Sequence, residues 1–331
     1  MPVAVVTDST HYLPPELIAE YGIHQVSLYV NDGGTLTREA DMPNFHAFYE
    51  DLRTRSDLPT TSQPSPGDFI AVYEPLIEQG YDIVSVHLGA GISGTCDSAR
   101  QAAADLTGDG SQRTIEVVDS RSAAGGLALI VLAAASAARG GRDVEAVKAR
   151  ALAAVDDVKI WFSVDTLEYL RRGGRIGAAQ AWLGSALKIK PILSFDEVIT
   201  PVERVRTNRR AFERMVELLE ERKEAGASAW VVQYVEVPEL AEQMVERGRE
   251  IFGTDPVFCT EIGPVIGTHA GVAVTGVLTS DVHACPNRSF EPWITMDDLG
   301  QTLGLIRRQG VHRVKDDRFD APLLAVLPAV I

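Results

Sequence analysis

The chain has 331 residues and a formal net charge of −15 at pH 7. Its apolar share of 45% is globular composition, with enough burial to offset ordering entropy, so disorder is excluded for most of the chain. The longest nearly apolar run, Gly125 to Ala138, is shorter than the ~20 residues a bilayer-spanning helix needs, which excludes a multispan membrane protein and points to a buried helix. The acidic balance argues against wholesale nucleic-acid binding, which needs a basic footprint. At a loose ~150 residues per domain the length suggests two domains.

The start, Met1-Pro-Val-Ala-Val-Val-Thr-Asp8, has no basic region ahead of an apolar stretch and no small-residue cleavage site. A cytoplasmic protein is therefore expected. Cys96, Cys259 and Cys285 lack CxxC spacing and do not make a disulfide framework.

In chain order, Val3 to Thr7 reads as a strand and Pro14 to Tyr21 as a helix with proline in its first turn. A Thr/Ser/Pro/Asp-rich section, Asp32 to Gly67, reads as a long functional or mobile loop. Tyr81 to Leu88 is a strand, Ser93 to Leu106 a small-residue helix, Thr114 to Asp119 a strand and Leu127 to Arg139 a buried helix. This alternation predicts a parallel sheet with helices on both faces. Composition shifts near Ala151 to Val158. Beyond it, Lys159 to Val164, Ile189 to Phe195, Ala229 to Val235, Val257 to Ile262 and Gly271 to Leu278 read as strands. Thr166 to Arg172, Ala211 to Ala225 and Pro238 to Phe252 read as helical. These predict a second α/β domain with a mixed sheet. The expected division is 1–157, 158–280, and an irregular extension over 281–331 that ends in the apolar run Ala321 to Ile331.

Several stretches carry chemistry. His87-Leu-Gly-Ala-Gly-Ile-Ser-Gly-Thr95 follows a strand and opens a helix. Its glycines allow close backbone approach, and Ser93 and Thr95 add hydroxyls, so the turn suits an anion. The blander account is a tight turn capped by Ser93. Gly89-x-Gly91-x-x-Gly94 with Asp119 also matches the dinucleotide fingerprint, though outside the first βα unit. Leu58-Pro-Thr-Thr-Ser-Gln-Pro-Ser-Pro-Gly-Asp68 reads as a rigid loop presenting Thr61 and Ser62, with Ser65 capping the helix at Asp68. His269, among glycines between two strands, could donate to an anion or act as a base.

Arg171, Arg172, Arg175, Lys188, Lys190, Arg204, Arg206, Arg209 and Arg210 concentrate positive charge in an acidic chain. They suit a phosphate or an acidic partner, or simply form a solvated face. Asp8-Ser9-Thr10 reads as a helix cap rather than a nucleophile. Asp281, His283 and Cys285 fit no zinc spacing, so no metal is expected. No P-loop and no GxSxG elbow is present.

Taken together, the order of motifs resembles the DegV family. They are Thr7-Asp8-Ser9-Thr10 with Leu13-Pro14, Thr61-Ser62-Gln63-Pro64, Ser93-Gly94-Thr95 with Ser98-Ala99, and Val118-Asp119-Ser120. Then follow Leu170-Arg171-Arg172-Gly173-Gly174-Arg175-Ile176, Lys190-Pro191-Ile192-Leu193 and Gly267-Thr268-His269. The resemblance runs from Val3 to about Leu278 and implies a two-domain α/β architecture with a ligand tunnel between the domains. It implies a carrier of a long-chain fatty acid such as palmitate, stearate or oleate, with no cofactor and no catalytic step of its own. The carboxylate would be held by Thr61, Ser93 and His269, with Ser62, Gly94 and Thr95 as neighbours. The partner implied is a separate ATP-dependent fatty acid kinase that feeds phospholipid synthesis, with Arg171, Arg175 and Arg206 near the phosphorylated head or the kinase surface. Such a protein would not be integral to a membrane but would exchange ligand at its surface.

The chain departs from the family pattern at Gly89 and Ala90, where serines are frequent. It departs again after His269, where Ala270-Gly271-Val272-Ala273 replaces x-Gly-Pro-Gly. Two other functions compete. One is an enzyme acting on a carboxylated or phosphorylated small molecule at Ser93 and His269. The other is a nucleotide-binding regulator built on the glycine-rich turn.

Overall fold

The architecture is a mixed α/β fold in which three sheets are arranged within one compact unit that holds all the described residues. It is taken from a computed structural model, which describes residues 1–108, 113–183, 189–271 and 274–280, the last stretch as backbone. Lys188, the proposed metal-ligand candidates Asp281, His283 and Cys285, the residues Val272 and Ala273, and the extension over 281–331 lie outside the described residues.

The first half runs β1 (Val3–Asp8), α1 (Pro15–Tyr21), β2 (Ile23–Val26), β3 (Tyr29–Asp32), β4 (Thr35–Arg38), α2 (Phe45–Thr54), β5 (Thr60–Ser62) and α3 (Pro66–Glu78). It continues with β6 (Asp82–His87), α4 (Thr95–Leu106), β7 (Ile115–Asp119), α5 (Ala124–Arg139) and α6 (Val144–Asp157). Strands β2-β1-β6-β7 form an all-parallel sheet. Every residue of β1 and β6 is buried, because α3 and α4 pack on one face and α5 and α6 on the other. That double cover is why these strands read as continuous apolar runs rather than alternating ones.

The second half runs β8 (Lys159–Ser163), α7 (Glu168–Arg172), β9 (Lys190–Asp196), β10 (Val198–Val205), α8 (Asn208–Glu224), β11 (Ala229–Val235), α9 (Pro238–Phe252), β12 (Cys259–Glu261), α10 (Pro264–Ala270) and β13 (Val274–Ser280). Its six-stranded sheet has the order β10-β9-β8-β13-β11-β12. Only the β11–β12 pairing within it is parallel. Helices α8 and α9 cover this sheet through a core that includes Trp230, Met215 and Met244. Helix α5 touches β1 and β6 of the first sheet and β11 and β13 of the second. It is consequently buried all round from Gly125 to Ala135, and its sequence shows no polar face.

The section Asp32 to Gly67 is not a loop. It holds the β3–β4 hairpin, helix α2 capped by Asn44, and β5, which together make a small antiparallel sheet, β4-β3-β5, and its flanking helix. Strands of three or four residues carry too little periodicity to be read from sequence. Helix α6 and strand β10 were likewise absent from the sequence reading. Among the described residues, no helix is long and apolar enough to cross a membrane.

Candidate ligand site

Three segments distant in sequence converge on one cavity of about 290 Å³. The first is β5. Thr61 lies opposite Val30 of β3, so strand pairing rather than a rigid loop sets its position. The segment is anchored beyond Pro64 by a capping box: Ser65 Oγ accepts from the Asp68 N–H, and Asp68 accepts from the Ser65 N–H at 2.7 Å. Ser65 is therefore the cap that the sequence indicates.

The second segment is the turn between β6 and α4. The Gly89 N–H donates to the Ser122 carbonyl at 2.7 Å, and Asp119 accepts from the N–H groups of Ala90 and Arg121 at 3.1 and 2.9 Å. Gly94, not Ser93, occupies the N-cap of α4, without a side-chain cap. Ser93 instead pairs its hydroxyl with that of Thr95 at 2.9 Å.

These contacts remove the dinucleotide explanation of the glycines. A Cβ on Gly91 would lie 1.9 Å from the Glu197 carbonyl oxygen, and one on Gly94 would lie 2.5 Å from the Gln63 side chain. Packing against the backbone of the β9–β10 turn demands glycine at position 91, whereas at position 94 the crowding atoms are the end of the flexible Gln63 side chain. Asp119, the supposed ribose acid, is engaged in holding the turn.

The third segment is α10. His269 sits in the last turn of this short helix, not in a loop. Its Nε2 lies 2.7 Å from Thr61 Oγ1. Nδ1 is buried without a partner, pressed so closely on Gly173 that a Cβ there would come within 2.1 Å of it. Burial, reinforced by the neighbouring Arg175 guanidinium, lowers the His269 pKa to about 4, so the ring is neutral at physiological pH.

The cavity is amphipathic. Thr61, Ser62, Gln63, Ser93, Arg175 and His269 line it, and each is partly or fully exposed. Leu28, Leu88, Ile160, Phe195, Ile199 and Val265 line it as well, and all are buried. Gln233, which is fully buried, adds a polar group to the interior part of the wall. Its volume falls near the lower end of the ~300–1,000 Å³ of small-molecule pockets.

Among the sequence candidates, Thr61, Ser62, Ser93, Arg175 and His269 line the cavity, whereas Gly94 and Thr95 do not. Thr95 is wholly buried behind Ser93. Arg175 donates to the carbonyls of Ile92 and Gly173 at 3.2 and 2.6 Å, which fixes its guanidinium at the cavity wall.

The remaining basic residues disperse. Arg171 pairs with Glu168 at 2.6 Å, Arg172 donates to the Ser56 carbonyl, Lys190 pairs with Asp165, and Arg204 stacks on Trp182. Arg209 and Arg210 pair with Glu213 and Glu217 along α8, and Arg206 is exposed beyond the end of β10. The cluster is largely a solvated, paired face. No group of His, Cys, Asp and Glu able to hold a metal occurs among the described residues.

Asp8 caps the turn Ser9–His11, as expected, and heads a buried chain. His87 Nδ1 lies 3.1 Å from Asp8, Ser85 Oγ lies 2.6 Å from His87 Nε2, and the Tyr73 hydroxyl donates to Ser85. This Ser–His–Asp order resembles a hydrolytic triad, but all three residues are 0% exposed, so no substrate reaches it. Sequence reasoning missed this chain, as well as the lining residues Gln63 and Gln233.

A mixed α/β fold with a cavity lined by both polar and apolar side chains defines a candidate ligand-binding protein. The DegV family model, described as an uncharacterised protein family, matches residues 2–281. The chain belongs to the DegV family. It is 36% identical over 289 residues to Protein DegV of Bacillus subtilis, covering 84% of this chain and 98% of that one. The fatty acid-binding DegV family protein of Thermus thermophilus superimposes with a TM-score of 0.77 at 32% identity, over 85% of this chain and all of that one. The crystal structure of DegV from Bacillus subtilis, described as a fatty acid-binding protein, gives 0.75 at 35% identity, over 85% and 99%.

Proposed function

We propose that the protein binds a long-chain fatty acid and presents it to a separate acyl kinase, with no catalytic step of its own. The observation that carries this is the cavity itself. Its wall combines buried apolar side chains with the Thr61–His269 pair, Ser93 and Arg175. Two DegV structures above 30% identity come from proteins described as fatty acid-binding, which supports the same ligand class.

The affinity comes from the chain and the orientation from the head. Burial of each methylene contributes about 0.8 kcal/mol. A carboxylate leaving water needs several donors. Thr61 and Ser93 supply hydroxyls, Arg175 supplies positive charge, and Ser62 and Gln63 line the same end. His269 is neutral. With its proton on Nε2, the ring donates to Thr61 Oγ1 and leaves Nδ1 as an unmet acceptor, the cheaper kind of orphan. The Thr61 proton is then free for the ligand, so His269 acts through Thr61.

Residues 1–157 and 158–280 form the two α/β halves of this account, with the cavity as the tunnel between them. The exposed Arg171 and Arg206 belong to the surface met by the kinase. Ligand is exchanged at a membrane surface, and the protein works in the cytoplasm.

The double substitution Ser93→Ala with Thr61→Val tests the site. Oleate affinity, measured by calorimetry, is expected to fall at least ~10-fold as the carboxylate loses two donors. Unchanged affinity in a folded double variant would refute the assignment.

A further inference from the structure

Glu39 lies in the short turn Glu39–Asp41 after β4 and is 3% exposed. A carboxylate out of water is costly unless its oxygens are bonded. Here they are. Oε2 accepts from the Ser9 hydroxyl at 2.5 Å, and Oε1 accepts from the Tyr12 phenol at 2.9 Å and from the Val265 N–H at 2.8 Å. The Tyr12 oxygen in turn accepts from the Ile266 N–H at 3.3 Å. Carboxylate and phenol therefore take early N–H groups of α10, which have no acceptor within the helix.

Two backbone features serve this arrangement. Tyr12 holds φ at +49°, a left-handed conformation rare for a bulky residue. Gly263 leaves room where a Cβ would lie 2.8 Å from Glu39 Oε1 and 2.6 Å from the Tyr12 ring. Neither Glu39, Tyr12 nor Gly263 lines the cavity, yet Val265, Ile266 and His269 of α10 do. So does Leu28, whose N–H is held by the Ser9 hydroxyl at 3.1 Å.

We propose that Glu39 is a positioning residue of the ligand site. Directly at Val265 and through Tyr12 at Ile266 it fixes α10, which holds His269 against Thr61 and sets Val265 and Ile266 against the acyl chain, and through Ser9 it holds Leu28. The assignment to acyl binding rests on the fatty acid function above. Burial, only partly offset by the three donors, raises the Glu39 pKa to about 7, as befits a carboxylate retained in an unfavourable place.

The test uses the full chain and the His269 ring as reporter, followed by NMR of ¹⁵N-histidine, together with oleate binding by calorimetry. In the native protein, where burial and the Arg175 guanidinium lower its pKa to about 4, the His269 midpoint is expected near pH 4. In Glu39→Ala, α10 loses its anchor. The His269 midpoint is expected to rise toward 6.5, and oleate affinity to fall ~10-fold. Glu39→Gln keeps an acceptor for Val265 and Tyr12, and is expected to restore both quantities to near their native values. Tyr12→Phe removes the phenol but keeps its ring, and replaces Glu39→Ala if that variant does not fold. It should shift both readouts in the same direction, by less. Met215→Ala, on the buried face of α8, is the control for destabilisation and should leave the His269 midpoint unmoved. A folded Glu39→Ala or Tyr12→Phe with native His269 titration and native oleate affinity overturns the proposal. Failure of the native protein to bind oleate would instead defeat the fatty acid function, while the His269 shift would still decide the positioning role.

Discussion

His11 and His269 are both buried, and burial lowers the pKa of each to about 4. An unfolded histidine takes its proton near 6.5, so stability from these residues is full above that value and is lost as pH falls from 6.5 toward 4. Glu39 has the opposite sign. The folded state keeps its proton up to about 7, whereas the unfolded chain releases it near 4.5. Its contribution is present below 4.5 and is lost as pH rises from 4.5 to 7. Replacing Glu39 by Gln removes this opposing contribution. Stability of the variant should decline more steeply on acidification across that window, by about one kcal/mol per pH unit. Parallel slopes for the two proteins in urea titrations at pH 5, 6 and 7 would contradict it. Glu39 could not have been read from the sequence. Its role depends on Ser9, Tyr12 and Val265, which are distant along the chain, and nothing in its local pattern distinguishes it from a surface acid. Thr61, Ser93 and His269, which line the cavity, stand out in the sequence as hydroxyls beside glycines and prolines and as a lone histidine among glycines.

At the scale of elements, the turn after β6 shows how a motif can mislead. Gly89-x-Gly91-x-x-Gly94 reads as a phosphate cradle, yet Gly91 is required by contact with the Glu197 backbone, and Gly89 and Gly94 pack closely on Phe195 and Gln63. A Cβ on Gly91 would sit 1.9 Å from a backbone oxygen of Glu197, which cannot swing aside as a side chain would. Gly91→Ala is therefore expected to cost about 1–3 kcal/mol, seen as a lowered calorimetric Tm. Gly108→Ala, where a Cβ meets nothing within 4 Å, should leave Tm unchanged. A native Tm for Gly91→Ala would show that the β9–β10 turn does not press on this loop. Helix α9 was legible because burial on one side imposes a helical period, and α5 and β11 because near-complete burial leaves continuous apolar runs. The β3–β4 hairpin, α2 and β5 were not. Their polar residues and short strands look like a loop until the sheet pairing is known.

Among the described residues, the two main sheets enclose α5, and the cavity collects residues from the six-stranded sheet, from the small β4-β3-β5 sheet and from the segments that follow the strands of the parallel sheet. Alternating strands and helices made the α/β class visible in the sequence. The cavity was not visible, because its wall is assembled from single residues such as Leu28, Ile160, Phe195 and Val265 scattered along the chain. In the fatty acid account, these buried side chains supply the affinity and the polar end supplies the direction. A ligand held through many methylenes should survive purification. Native mass spectrometry of the purified protein, followed by organic extraction, is the most direct test. The account predicts a mass increment equal to one long-chain fatty acid, recovered as the free acid. A ligand-free mass, from protein that also fails to take up added oleate or palmitate, would contradict it.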